Sequence, residues 1–145
     1  MSKNNNKSPK EYFNDFDNIL DYKSETDKTQ RNTILKGIIE STENLMDHYA
    51  GGITYGQLRN ILQIVKDKKY HDNPGELLLA VPKLAYTEGR HKPGSDARKL
   101  IAFMRELAMA VNKDTEELET SRLRYEAFEE IMNTIVAYHK INSKN

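Results

Sequence analysis

The chain has 145 residues, no cysteine, and 22 basic against 22 acidic side chains. That length suits one domain, and a formal net charge of zero excludes a histone-like polycation or a polyanionic tail protein. The lack of cysteine removes disulfides, thiol nucleophiles, iron–sulfur clusters and Cys-based zinc sites.

No apolar run approaches the roughly 18 residues a membrane span needs. The segment Met1–Asn6 lacks the apolar core of a signal peptide, so a soluble cytoplasmic protein is expected. Seven Gly and four Pro fit a helical domain better than a turn-rich β protein.

In chain order, residues 1–10 offer nothing to bury and are expected to be disordered. Tyr12, Phe13, Phe16, Ile19 and Leu20 then recur at helical spacing among Asp15, Asp17 and Asp21. Two readings are open for this stretch: a short helix packing on its own domain, or an extension docking on a partner. Tyr22–Lys28 is charged and reads as a linker. Residues 1–29 are therefore taken as a flexible acidic and aromatic extension, and residues 30–145 as the helical domain.

The expected architecture is all-α, a bundle of about five helices in a single domain. Ile34, Leu35, Ile38, Ile39, Leu45, Met46 and Tyr49 predict a helix from about Gln30 to His48, ended by Gly51-Gly52. Thr54-Tyr55-Gly56-Gln57 matches a capping box. Behind it, Leu58, Ile61, Leu62 and Val65 form an apolar stripe. Asp72-Asn73-Pro74-Gly75 is a break. Leu77–Tyr86 is apolar but contains Pro82, which predicts a kink or a restart. Gly89 suits a helix end, and Ser95 is a candidate N-cap for a helix through Leu100, Phe103, Met104, Leu107 and Val111. The last helix is expected to open at Thr115 or Glu116, bury Leu118, Tyr125, Phe128, Met132, Ile135 and Val136, and end near Lys140.

Catalytic patterns are missing. His48, His71, His91 and His139 lack metalloprotease spacing and are read as exposed polar residues; no metal or other cofactor is expected. Gly51 and Gly56 have P-loop spacing, but Gln57 stands where the phosphate-binding Lys is required. No Arg is followed five to seven residues later by His, as in one class of helical RNases, and nucleophile elbows are absent. The sequence argues against an enzyme.

Charge is uneven along the chain. Residues 51–112 carry 10 basic and 6 acidic side chains, whereas residues 1–50 carry 7 and 9, and residues 113–145 carry 5 and 7. Several cations in the basic middle sit beside helix ends. Arg59 follows the capping box, Lys83 follows Pro82, Arg90 follows Gly89 with Lys92 close behind, and Arg98 and Lys99 open a helix. Cations near a helix start oppose its dipole. Together they suit contact with a phosphate backbone without base readout. Composition alone leaves nucleic-acid binding level with a helical protein–protein adaptor that does not bind RNA.

Three segments carry a family resemblance. They are Ile53–Leu62, with Gln57-Leu58-Arg59; Pro82–Arg90, with Lys83, Tyr86, Gly89 and Arg90; and Tyr125–Phe128 followed by Ile135–Lys140. Their order and spacing resemble the small subunit of type III-A CRISPR–Csm effector complexes over about residues 30–141. The resemblance implies an all-helical, non-catalytic subunit. It implies copies stacked in a filament along the guide RNA and its paired target RNA, beside the backbone and large subunits. Such a subunit contacts the RNA backbone while base pairing reads the sequence. Arg59, Lys83 and Arg90 match the family's basic positions and are expected on RNA phosphate, with Lys92, Arg98 and Lys99 as flanking cations. Gln57 is expected to cap its helix, and Tyr86 and Tyr138 to lie in the core.

Overall fold

The structure is a computed structural model that describes residues 7–114 and 117–142. Of residues 1–10, expected to be disordered, positions 1–6 lie outside the described residues, as does the helix start expected at Thr115 or Glu116, whereas Pro9 is buried and opens an ordered 3-10 turn. Among the described residues there are six α-helices and no strand. They are α1 (Lys28–Tyr49), α2 (Tyr55–Val65), α3 (Lys68–Asp72), α4 (Val81–Gly89), α5 (Asp96–Ala110) and α6 (Leu118–Asn142). Tight 3-10 segments cover Pro9–Tyr12, Phe16–Ser24, Ala50–Gly52 and Pro74–Leu79.

Local chemistry sets the helix starts. Asp27 accepts from the N–H groups of Thr29 and Gln30 and opens α1. At α2 the expected capping box forms in full. The Gln57 N–H donates to Thr54 Oγ1 at 3.1 Å, and Gln57 Oε1 accepts from the Thr54 N–H at 2.9 Å. The Ser95 hydroxyl caps α5 through the Arg98 N–H. Pro82 falls at the second position of α4, where no intrahelical N–H bond is required, so the chain restarts there instead of kinking.

The longest helices, α1 and α6, pack on each other, and at 1.5 Å per residue they run about 33 and 38 Å. The pair α4 and α5 packs beside them, and α2 lies against α6 and α4. Their shared core includes Leu45, Met46, Leu58, Ile61, Leu84, Leu100, Phe103, Leu107, Tyr125 and Phe128, all essentially solvent-free. Two backbone positions hold the connections. A Cβ on Gly52 would come within 2.7 Å of the Asp96 side chain, so only glycine lets the end of α1 approach the start of α5. Gly94 adopts φ 83° in the loop between α4 and α5.

The N-terminal segment contributes to this core. Phe13, Ile19, Leu20 and Tyr22 are buried, and the Phe13 ring stacks on Phe103 at 5.4 Å. Between the two open readings, the described part of the segment packs on its own domain. Tyr22, read as the start of a linker, is 3% exposed, and its hydroxyl donates to Glu130. A groove of about 590 Å³ remains between this segment and α1, lined in part by Phe13, Ile19, Ile34 and Ile38.

Candidate nucleic-acid interface

Two groups of basic side chains are set up by the helix starts and ends. The first lies on α4 and the loop after it. Lys83 and Arg90 are seven residues apart, which is about two turns, so both project from one side of the helix about 10 Å apart along its axis. Lys83, Arg90 and Lys92 are exposed. The Arg90 guanidinium sits 5.9 Å from the Tyr86 ring centre. Tyr86 is 69% exposed, which corrects the expectation that it is core. Leu84 is the buried residue of α4, and two residues of helix turn Tyr86 by about 200° to the opposite side. Tyr138 is partly buried and packs against the core.

The second group lies at the start of α2. Arg59 is exposed, with its guanidinium 5.8 Å from the Tyr55 ring centre. Lys140, from the end of α6, places its ammonium 5.1 Å from the same ring. No sequence signal singled out Lys140, because its neighbour Tyr55 is 85 positions away in the chain.

Arg98 and Lys99 are used differently. The Arg98 guanidinium donates to the His91 carbonyl at 3.1 Å and ties the Arg90–Lys92 loop to the first turn of α5. Lys99 is exposed and borders a shallow pocket with Pro9, Lys10 and Glu106, on the side of the N-terminal turn. The six sequence-selected cations thus divide among α2, the α4–α5 corner and the N-terminal side of α5.

Ion pairs engage some of the other cations, while Lys28, Lys36, Lys68 and Lys69 are exposed and unpaired as well. Lys10 pairs with Glu106, Lys23 with Glu130, Arg105 with Glu88, Arg122 with Glu119, and Arg124 with Asp21 and Asp114. Among the described residues, Arg59, Lys83, Arg90, Lys92, Lys99 and Lys140 have no ion pair with an acid. Asp96, which touches Gly52, faces instead the hydroxyls of Tyr12 and Tyr49. Burial pushes the Tyr49 hydroxyl up to about 12, and the Asp96 charge adds to the shift.

The histidines correct one expectation. His48 is exposed and His71 pairs with Glu129 at 2.9 Å, but His139 is 1% exposed. Its Nε2 lies 2.7 Å from the Ile53 carbonyl. A carbonyl only accepts, so Nε2 carries the proton and donates. The helical phase of Phe128, Met132 and Ile135 continues to position 139, and that periodicity was the available signal. No group of three or more His, Asp or Glu side chains gathers to hold a metal among the described residues.

Fold and surface therefore define a small all-α protein with exposed, unpaired cations on several helices around an apolar core. Residues 35–145 match the family described as Csm2 Type III-A. The chain belongs to that family and is a structural small subunit of a type III-A CRISPR effector complex. No curated protein and no solved structure matches it significantly. No helix among the described residues is long and apolar enough to cross a membrane.

Proposed function

We propose that this subunit binds the RNA backbone without sequence preference and without catalysis, and that copies of it stack along the guide RNA and its paired target RNA. One observation carries the reading. Arg59, Lys83, Arg90 and Lys92 are exposed and lack acidic partners, while the cations that hold the fold together are paired. An exposed, uncompensated cation is free to displace counterions from a phosphate chain. Lys83 and Arg90, on one side of α4, suit successive contacts along a strand. Arg98 serves this surface by holding the loop that carries Arg90 and Lys92. Binding by one copy is weak; arrayed copies gain through effective concentration.

The test compares the full chain with the triple variant Arg59→Ala, Lys83→Ala and Arg90→Ala. Binding to a labelled single-stranded RNA of mixed sequence is followed from low to physiological salt. Each lost single-strand phosphate contact removes about 0.7 from the slope of log affinity against log salt, so the triple variant should lose about 2. A folded triple variant with unchanged affinity and slope would falsify the reading. The competing reading is a protein adaptor. It draws on Leu78 and Leu79, which are 52% and 68% exposed just before α4. It predicts association with the other subunits that survives RNase and needs no RNA.

A further inference from the structure

Positions 50–66 and positions 131–142 are both free of acidic residues. They are far apart in sequence, yet the fold packs the first, which contains α2, against the second, which ends α6. Where they meet, the exposed charges are Arg59 and Lys140, and both converge on the Tyr55 ring. The third cation of these stretches, Lys66, is engaged with Asn133 Oδ1 at 3.1 Å.

The contact is braced from beneath. The buried His139 ring donates to the Ile53 carbonyl and lies 6.3 Å from the Tyr55 ring, so the backbone one residue before Lys140 is tied to the turn before α2. The capping box fixes the start of α2, whose first two turns carry Tyr55 and Arg59. Two like charges held near one ring, with neither paired to an acid, make this corner electropositive and attract an anion. Tyr55 is 39% exposed, and its ring lies within cation–π range of both side chains.

We propose that Tyr55, Arg59 and Lys140 form one composite contact for a backbone phosphate of RNA. Lys140 supplies half of its charge and His139 is its positioning residue. The inference rests on the RNA-binding reading and adds to it a second locus, built from both ends of the domain and separate from Lys83 and Arg90 on α4.

The experiment measures anisotropy of a labelled mixed-sequence single-stranded RNA with the full chain, at a series of salt concentrations. Lys140→Ala should weaken binding several-fold and lower the salt slope by about 0.7. Lys140→Arg should keep both. The pair Arg59→Ala and Lys140→Ala should lose less than the product of the two single losses, because the two cations act on one phosphate. Lys36→Ala, an exposed cation on α1, should change nothing. Thermal unfolding of each variant shows that the fold is retained. If Lys140→Ala matches the parent while Lys83→Ala and Arg90→Ala weaken binding, this inference is overturned and the RNA-binding reading stands. If the parent chain binds no RNA at low salt, both are overturned.

Discussion

Arg124 is 8% exposed, and its guanidinium bonds to two other parts of the chain. Its Nε donates to Asp21 at 2.7 Å, and its Nη1 to the Lys113 carbonyl at 2.8 Å and to Asp114 at 3.4 Å. Burial opposes its charge, but the hydrogen bond and charge of Asp21, with Asp114 behind them, outweigh that and hold the group protonated. Arg124→Ala should therefore cost about 2 kcal/mol in urea unfolding, near the middle of the range for hydrogen bonds to charged groups. Asp21 keeps some solvent access, which holds the cost below that of a fully buried pair. A loss under a few tenths of a kcal/mol would mean that the Arg124 bonds are not maintained in solution. At this scale the sequence distinguishes cations poorly. Arg59 and Arg124 are the same residue type on helices, and only their neighbours in space leave one exposed without an acidic partner and make the other a buried brace.

Among the elements, the N-terminal segment departs most from its sequence pattern. Acidic residues interrupt its apolar ones, and it folds as tight 3-10 turns instead of a regular α-helix. Its stability comes from outside itself: Phe13 and Phe16 meet Phe103, and Tyr22 meets Glu130. Phe13→Ala should cost about 3 kcal/mol, as expected for losing a core aromatic ring. RNA affinity at fixed folded fraction should stay the same, since Arg59, Lys83 and Lys140 sit elsewhere. Equal stability of variant and parent by chemical denaturation would show that the segment is not part of the core. By contrast, α2 was legible in detail, because capping box, apolar stripe and first-turn geometry are all contained within a dozen residues. The five-residue α3 was not, since one turn and a half carries too little periodicity to register.

For the molecule as a whole, the buried tyrosines set an alkaline limit. Tyr22, Tyr49 and Tyr125 all have hydroxyls raised above the usual 10, chiefly by burial. Glu130 adds to this at Tyr22 and Glu129 at Tyr125. The unfolded chain releases these protons near pH 10, while the native Tyr49 holds its proton to about 12. Between those values the native state binds more protons than the unfolded state, so stability falls as pH rises. The thermal midpoint should be insensitive to these groups below pH 10 and then decline, and tyrosinate absorbance should lag behind that of free tyrosine until unfolding. A midpoint that stays level well above pH 10 would contradict the burial of these rings.

Helix positions, caps, the all-α class and the family motifs were readable from the chain because each depends on residues within a few turns of one another. The roles of Arg124 and His139, the inclusion of the N-terminal segment in the core, the outward turn of Tyr86 and the meeting of Lys140 with Tyr55 were not. Each depends on which surfaces the helices bury against one another. Periodicity reports that a face is apolar, but only packing determines what covers it, and therefore which charges are left without a partner.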